Sequence, residues 1–435
     1  MAKLRRQDQP SLFGDETADC APGTDTSSTF LDNLSLPIHR WFRYSAGFSA
    51  EWASKVINDE KAEGRTRVLD PFVGSGTLVL EAEAAGVDGI GVEAHPFVSR
   101  VALAKLHWRS DPEALTAHGA RVLDRARRHG DSKRVFPELL TRCFPPEVLD
   151  RLESLRRAWE EEADETAASH LAWLALVAIL RECSPVGTAQ WQYILPRKSK
   201  ARSLDPSSAF RAKVALFAAD MESRQRQPHG PPGRVVADDA RSLASVPDRW
   251  AQLVITSPPY ANNYDYADAT RLEMTFFAEI AGWGCLQDAV RRHLVHACTQ
   301  HVAPLVKETD RLIADPCLNP IAPGLTEICQ ALAVARESHG GRKPYHTMVA
   351  AYFQDMARCW VALRRVSAPD CRVCFVVGDS APYDIHVPVD RWLGELAVAA
   401  GFKGFRFEKT RDRNVKWKNR KHRVPLHEGR LWVEG

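Results

Sequence analysis

The sequence predicts an α/β protein built on a mostly parallel seven-stranded sheet that carries helical insertions. Three segments support this prediction. Arg67–Asp70 reads as a strand that runs into a glycine-rich turn and then into the helix-like residues 78–85. A second strand, Gly89–Val92, ends on an acidic residue, and the apolar run Leu253–Ile255 ends on the polar pentapeptide Thr256–Tyr260. Strand, glycine turn and helix in this order are typical of parallel sheets that bind ligands at their carboxyl edge.

The glycine-rich turn, residues 71–77, has the composition of a ligand-binding loop. Glycines let the backbone approach a ligand closely, and the free N–H groups at a helix N-terminus favour a carboxylate or phosphate. Glu93 stands a little over twenty residues after Asp70, at the end of the second strand. An acidic side chain at this spacing is placed to accept hydrogen bonds from ribose hydroxyls.

The pentapeptide after the third apolar run forms a rigid corner. Pro258 and Pro259 fix φ and lack N–H donors, so the neighbouring carbonyls are left as acceptors. Tyr260 adds a flat aromatic face. Acceptors for an amino group beside a ring for stacking suit an enzyme that holds a flipped base by its exocyclic nitrogen. A plain turn after a strand is the alternative interpretation of this segment.

The motifs DPFVGSGT, GVE and TSPPY together resemble those of the S-adenosylmethionine-dependent amino-methyltransferases of DNA, which act on N4 of cytosine or N6 of adenine. The resemblance implies a Rossmann-like class I methyltransferase fold and S-adenosyl-L-methionine as cofactor. A serine at position 257 favours cytosine N4 in a specific DNA site. The implied cofactor-binding residues are Asp70, Pro71, Phe72, Gly74, Ser75, Gly76, Thr77, Glu93 and Ala94, and the implied catalytic residues are Ser257, Pro258, Pro259 and Tyr260.

Two further segments fit the same family. Gly233–Ala237 reads as a third strand, and Asp239 and Ala240 follow it where the family places an acidic or amide group near the adenine amino nitrogen. Phe48 and Ser49 precede a helix-like segment and resemble the family's N-terminal cofactor motif. Both pairs are therefore predicted to bind the cofactor, with plain scaffold as the alternative.

The core motifs are separated by long stretches that a minimal sheet does not need. The residues from Ala114 to about Leu180 have apolar positions at helical spacing. Target recognition is assigned to the insertions. The predicted organisation is a disordered tail over residues 1–30, core over 31–110, a helical insertion over 111–230, core with the proline corner over 231–277, a second insertion over 278–344, and core with a basic segment over 345–435.

Cations cluster near the carboxyl end although the formal net charge is only +3. Between Lys403 and Arg423 there are ten lysines and arginines, interleaved with three aromatic residues. Clustered cations neutralise phosphates, and aromatic rings stack on exposed bases. DNA contact is predicted here, with a solvated strand face or a linker as the alternative. The residues assigned to DNA binding in this stretch are Lys416, Lys418, Arg420 and Lys421. Arg197 and Lys198, which lie in the predicted helical insertion, are also assigned to DNA binding.

Composition points to an intracellular protein. A hydrophobic fraction of 45% over 435 residues supports a sizeable core. No apolar run is long enough to span a membrane and no signal peptide is visible, so a cytoplasmic protein is expected. The ten cysteines show no second pair at metal-ligand spacing and are expected to be reduced, with no metal bound. Associated restriction or defence proteins are possible partners, and the oligomeric state is open.

Alternatives to a cytosine-N4 enzyme remain at this point. The same corner occurs in adenine-N6 enzymes of DNA and in enzymes that methylate base amino groups in RNA. A catalytically silent DNA-binding protein is a further alternative, which the intact glycines, Glu93 and TSPPY disfavour.

The basic segment gives a first testable prediction. Replacing Lys416, Lys418, Arg420 and Lys421 with glutamine should weaken duplex DNA binding and flatten its dependence on salt, because each lost phosphate contact lowers the slope of log K against log salt by about 0.9. Titration of a fluorescent duplex at several salt concentrations measures this slope. An unchanged slope would mean that the segment makes no phosphate contacts.

Overall fold

A computed structural model describes residues 30–44, 47–130, 132–186, 203–413 and 424–435. Within these residues, seven strands form one sheet in the order β3-β2-β1-β4-β5-β7-β6. The strands are β1 (Arg67–Asp70), β2 (Asp88–Val92), β3 (Arg234–Val236), β4 (Ala251–Thr256), β5 (Ser367–Gly378), β6 (Gly404–Arg413) and β7 (Leu426–Glu434).

The sheet is mostly parallel and has one antiparallel side. β1 pairs in parallel with both β2 and β4, β2 with β3, and β4 with β5. β7 runs antiparallel between β5 and β6. The predicted α/β sheet is thus confirmed, with the addition that its last two strands form an antiparallel pair. β6 is the edge strand, so the first half of the basic stretch Lys403–Arg423 lies in the sheet.

Both faces of the sheet are buried, and alternate residues of each strand serve opposite faces. Val68, Leu253 and Ile255 pack in a cluster with the helices of residues 50–62 and 77–85. Leu69 and Val254 belong to the large cluster on the other face. Helices therefore cover both faces of the sheet.

Fifteen α-helices lie in the described part of the chain. They are α1 (Ala50–Ala62), α2 (Thr77–Ala85), α3 (Pro96–Leu106), α4 (Pro112–Ala126), α5 (Glu138–Cys143), α6 (Pro146–Glu162), α7 (Ala167–Cys183), α8 (Pro206–Gln225), α9 (Tyr266–Ala269), α10 (Arg271–Phe276), α11 (Leu286–Ala289), α12 (Thr309–Ile313), α13 (Ala322–Ser338), α14 (Tyr345–Val366) and α15 (Val389–Ala399).

The two regions predicted as insertions share a hydrophobic core. Helices α4 to α8 pack around Trp173 and Phe210, and Leu286 and Val290 from the second region join the same cluster. Leu325 of α13 instead packs in the cluster that contains α14 and the sheet. Residues 278–344 therefore contribute to two cores and link the first helical region to the sheet.

A buried carboxylate anchors the segment before α1 to this helical region. Asp220 of α8 is 2% exposed and accepts hydrogen bonds from Trp41 Nε1 at 2.9 Å and Arg40 Nε at 3.0 Å. The backbone N–H of Ile38 also donates to it, at 3.4 Å. The anchor fixes residues that lead directly to Tyr44, which lies beside the cleft described below.

Removal of this carboxylate should destabilise the fold. Asp220→Ala leaves the Trp41 indole and the Arg40 guanidinium without their acceptor, and we expect the free energy of unfolding to fall by about 2–3 kcal/mol. Asp59→Ala is the matched control, because Asp59 pairs with Lys55 at an exposed helix surface; that change should stay within about 0.5 kcal/mol. Denaturant titration measures both. Equal effects would show that the anchor contributes no more than a surface pair.

Candidate functional site

One cleft lies at the carboxyl ends of β1 to β4. Because parallel strands end at the same edge, the loops that follow them meet there. The predicted residues that line it are Pro71, Phe72, Gly74, Glu93, Ala94, Asp239, Ala240, Ser257 and Pro259.

Asp70 lies beneath the cleft and joins two of its loops. The hydroxyl of Thr256, the last residue of β4, donates to Asp70 Oδ1 at 2.6 Å. The N–H of Phe72 donates to the same oxygen at 3.0 Å. Burial raises the pKa of Asp70 to about 7, these two hydrogen bonds oppose the rise, and the nearby charge of Glu93 adds to it. Asp70 is 1% exposed, so it acts on the cleft by positioning its walls.

The glycine turn adopts backbone conformations that its glycines permit. Gly74 and Gly76 have φ of 54° and 93°, in the left-handed region where other residues are strained. Gly76 caps α2, which begins at Thr77, while Ser75 and Thr77 do not line the cleft. A Cβ on Gly91 of β2 would lie 2.5 Å from Val73 Cγ2, so the close packing of the turn on β2 also requires glycine there.

Glu93 connects the turn to the start of α3. Its Oε2 accepts a hydrogen bond from Gly74 N at 2.9 Å, and its Oε1 accepts one from His95 N at 2.8 Å. Burial raises the pKa of Glu93 to about 7, and these backbone bonds oppose the rise. Each carboxylate oxygen accepts about two hydrogen bonds. Glu93 therefore keeps acceptor capacity toward the cleft that it lines.

Asp239 lines the cleft but its carboxylate is already engaged. Arg241 Nε lies 3.0 Å from both oxygens, and Arg241 Nη2 lies 2.7 Å from Oδ2. The same guanidinium reaches Asp355 of α14 at 3.4 Å and the carbonyl of His293 at 3.3 Å. His296 Nδ1 lies 2.6 Å from Asp355 Oδ2. The network ties the end of β3 to residues 293–296 of the second predicted insertion.

Several residues at the cleft carry no motif that the sequence analysis recognised. Tyr44 is half-buried and precedes the predicted motif residues Phe48 and Ser49, but no local pattern marks it as a residue of the cleft. His293, Leu294 and Val295 belong to a region that resembles no template. The unpredicted lining residues are Tyr44, His95, His293, Leu294 and Val295.

His95 is the most informative of these residues. Its Nε2 lies 2.9 Å from Thr270 Oγ1, while its buried Nδ1 has no hydrogen-bond partner among the described residues. Burial lowers the pKa of His95 to about 3, so the ring is neutral. A neutral ring with one unused nitrogen at the wall of a cleft is ready for a polar ligand group.

The structure gives Phe48 and Ser49 structural contacts outside the cleft. Ser49 caps α1 by accepting from Trp52 N at 3.3 Å. Phe48 is 3% exposed and packs edge-on against Trp52, with ring centroids 5.7 Å apart. Neither residue lines the cleft, so the helix cap explains this sequence pattern.

Two residues of the proline corner, Ser257 and Pro259, line the same cleft as the glycine turn, whereas Pro258 and Tyr260 do not line it. Ser257 Oγ donates to the carbonyl of Val376 at 3.3 Å. Within the described residues, no backbone N–H donates to the carbonyl of Pro258. The N–H of Tyr260 donates to Tyr266 Oη at 3.4 Å, and the Arg413 guanidinium lies over the Tyr260 ring. The corner thus offers oxygen acceptors next to the space that the glycine turn faces.

Tyr266 and Asp265, which follow the corner, separate into two roles. Tyr266 lines the cleft, and burial raises its pKa to about 12. Asp265 caps α9 by accepting from Asp268 N and pairs with Arg291, whose Nη2 lies 2.6 Å from Oδ2. The capping residue of α9 is therefore Asp265.

Other predicted residues fall outside this picture. Arg197, Lys198, Lys416, Lys418, Arg420 and Lys421 lie outside the described residues. Among residues that the structure does describe, no group of three or more potential ligands is placed to hold a metal ion. No helix in those ranges has the length and apolar character needed to cross a membrane.

Comparison with known proteins finds relatives along most of the chain. Type II methyltransferase M.BsoBI of Geobacillus stearothermophilus is 26% identical over 437 residues, covering 86% of this chain and 80% of the relative. Type II methyltransferase M.AvaI of Nostoc sp. and of Anabaena variabilis is 23% identical, covering 86% of this chain and 81% of the relative. No protein-family model matches the chain. The resemblance to amino-methyltransferases that the motifs predicted is confirmed by these relatives.

The buried Asp70 predicts how stability depends on pH. Its folded pKa of about 7 lies above the ordinary 3.8, so ionisation costs the folded state stability as pH rises from about 4 to about 7. Asp70→Asn should remove this contribution and flatten the decline by up to about 1.4 kcal/mol per pH unit within that window. Denaturant unfolding of both proteins between pH 5 and 8 tests this. Parallel curves would contradict it.

Proposed function

We propose that this chain is a DNA methyltransferase that transfers a methyl group from S-adenosylmethionine to the exocyclic amino group of a base. One observation carries the proposal: Gly74 and Glu93 line the same cleft as Ser257 and Pro259. A methyl donor held by the first pair therefore shares one cleft with an amino group held by the second. The long alignment with type II methyltransferases supports the reaction class.

The residues present fit the cofactor. Gly74 gives the turn a backbone that can approach a ligand, Glu93 keeps acceptor capacity for ribose hydroxyls, and His95 Nδ1 is an unused polar atom at the wall. Phe72 adds an aromatic side chain to the lining. When bound, S-adenosylmethionine supplies a methyl group on a positively charged sulfur. We assign its binding to the glycine turn, Glu93, Ala94 and His95.

Asp239, which the motif assigns to the cofactor, has a second role in this proposal. Its carboxylate is neutralised by Arg241, and the same arginine holds the carbonyl of His293. Asp239 therefore positions residues 293–295 as a wall of the cofactor site as well as lining that site itself. Binding of the cofactor is then sensitive to the second predicted insertion.

The proline corner holds the amino group to be methylated. The Ser257 hydroxyl donates to the carbonyl of Val376 and also forms a hydrogen bond with the Tyr260 side chain, and because Oγ has two lone pairs it keeps acceptor capacity for an amino group. The carbonyl of Pro258 is a second acceptor. The exocyclic amine of a base is a poor nucleophile because its lone pair is delocalised into the ring, and two fixed acceptors draw it toward tetrahedral geometry. Positioning and fixed dipoles supply the rate enhancement without a covalent intermediate.

We propose cytosine N4 as the target atom, because a serine occupies the first variable position of the corner. Adenine N6 is the alternative in DNA. Recognition of a specific site is assigned to the insertions. The alignment covers 86% of this chain, so it includes at least part of residues 111–230. We further propose a cytoplasmic protein that works beside a restriction enzyme, as the type II names of its relatives suggest.

Transfer of tritium from methyl-labelled S-adenosylmethionine tests the function. The substrates are unmethylated plasmid DNA, its single-stranded form and bulk RNA, each digested afterwards so that the labelled nucleoside can be identified. Label in N4-methyl-2′-deoxycytidine from duplex DNA supports the full proposal, and label in N6-methyl-2′-deoxyadenosine supports the adenine alternative. Label in RNA alone, or none with any substrate, would overturn it.

Variants of the two sides of the cleft should fail differently. Ser257→Ala and Tyr260→Ala should lower the methyl transfer rate by about a hundredfold or more, because they remove contacts with the base. Their affinity for S-adenosylhomocysteine should stay within about twofold of wild type. Gly74→Val should instead abolish that affinity by filling the space that the backbone approach requires.

Calorimetry with S-adenosylhomocysteine and single-turnover methylation measure the two effects separately. Ser154→Ala serves as control, because the Ser154 hydroxyl donates to the carbonyl of Asp150 within the same helix, α6. Equal loss of binding and turnover in the Ser257 and Tyr260 variants would contradict the assignment.

A further inference from the structure

An arginine from the last strand pair reaches the proline corner. Arg413 ends β6, and its guanidinium carbon lies 5.6 Å from the centroid of the Tyr260 ring. Its Nη1 donates to the carbonyl of Asp379 at 2.9 Å. A guanidinium within about 6 Å of a ring centroid is attracted to the aromatic face. Arg413 therefore connects the end of β5 with Tyr260.

The position of Arg413 depends on a glycine. A Cβ on Gly378, the last residue of β5, would lie 2.7 Å from Arg413 Nη1 and 3.4 Å from Arg413 Cδ. The same Cβ would lie 3.1 Å from the carbonyl oxygen of His427, so a side chain here would displace the flexible end of the arginine and press against the β7 backbone. Gly378 thus leaves room for the guanidinium to cross the strand end.

The acceptor of this hydrogen bond is itself held firmly. Asp379 is 1% exposed, and its carboxylate accepts from the backbone N–H of His427 at 2.8 Å. His386 Nε2 lies 2.8 Å from the same carboxylate, and His427 Nδ1 lies 3.2 Å from it. Contacts on both the carbonyl and the carboxylate side fix Asp379, so the Arg413 guanidinium is bound at a defined place.

The Tyr260 ring has contacts at its hydroxyl end and on its face. The Tyr260 N–H donates to Tyr266 Oη at 3.4 Å, a bond that fixes the backbone and not the side chain. The two preceding prolines restrict the backbone in the same way. The side chain forms a hydrogen bond with Ser257 at its hydroxyl end, and the Arg413 guanidinium lies over the ring face, so Arg413 limits rotation of the ring about that end.

We propose that Arg413 is a positioning residue for methyl transfer, which holds the Tyr260 ring in the orientation that receives the target base. The proposal rests on the proposed function, because it assigns the ring to base stacking. Arg413 also directly precedes residues 414–423, which carry the cations predicted to contact DNA. One residue therefore joins the predicted DNA-contacting segment to the proline corner.

Arg413→Gln tests the proposal in the full chain. With unmethylated plasmid DNA as substrate, we expect kcat to fall by about tenfold while KM for S-adenosylmethionine stays within about twofold. Arg413→Lys keeps the charge without the planar group and should recover part of the loss. Gly378→Ala should reproduce the fall in kcat, because it displaces a guanidinium that is still present.

The double variant Arg413→Gln with Gly378→Ala tests whether both changes disrupt the same contact of Arg413 or cause two separate defects. If both changes act on the same contact, the double variant should have a kcat within about twofold of the worse single variant. A kcat loss in the double variant equal to the product of the two single losses would show that the changes act on separate contacts. If Gly378→Ala does not fold, the two Arg413 variants decide alone.

Arg364→Gln is the matched control. The Arg364 guanidinium also lies over a ring, 5.5 Å from the centroid of Phe402, and its Nε also donates to a backbone carbonyl, that of Gly401, at 3.0 Å. It lies at the opposite end of β5, away from the corner. The kcat of the Arg364→Gln variant should equal that of wild type.

Three outcomes would overturn the positioning role: a kcat for Arg413→Gln within about twofold of wild type at saturating DNA, a defect confined to KM for DNA, or an equal loss in Arg364→Gln. The second of these outcomes would make Arg413 a phosphate contact. If the wild-type protein transfers no methyl group to any nucleic acid, the proposed function itself is refuted. This outcome is distinct from failure of the Arg413 proposal, because it is measured without any variant.

Discussion

The hydrogen bond between Thr256 and Asp70 is the contact on which the site depends. It joins the last residue of β4 to the last residue of β1 at 2.6 Å and therefore connects the proline corner to the glycine turn. The adjacent parallel pairing of these strands makes the contact possible. Because Asp70 also accepts from Phe72 N, one buried carboxyl group sets the relative position of the two sides of the cleft.

Charged networks extend this arrangement outward to the regions that surround the sheet. Arg241 links Asp239 at the end of β3 to Asp355 of α14 and to the carbonyl of His293. Arg413 links Tyr260 to the end of β5. In each case the arginine is held by partners of different elements. Long-range contacts of this kind tie the non-core regions to the cleft, so changes in those regions have a route to the chemistry.

The sheet and the two principal loops were predictable because they are local. Gly74 and Gly76 after one strand, and Pro258 and Pro259 after another, determine the conformation of each loop within a few residues. Parallel pairing then brings these loops to one edge of the sheet. Tyr44 and residues 293–295 were not predictable, because they reach the cleft through tertiary packing that leaves no local pattern. Phe48 and Ser49 show the converse, since Ser49 caps α1 and that is enough to explain the pattern. Arg241 and Arg413 resemble any surface arginine until their partners are known.

A crystal structure with S-adenosylhomocysteine bound tests the central claim most directly. The account predicts the ligand between the glycine turn and the proline corner, with its ribose hydroxyls within hydrogen-bond distance of the Glu93 carboxylate and its sulfur facing Ser257 and Pro258. A ligand bound elsewhere, or a sulfur that faces away from the corner, would contradict the account.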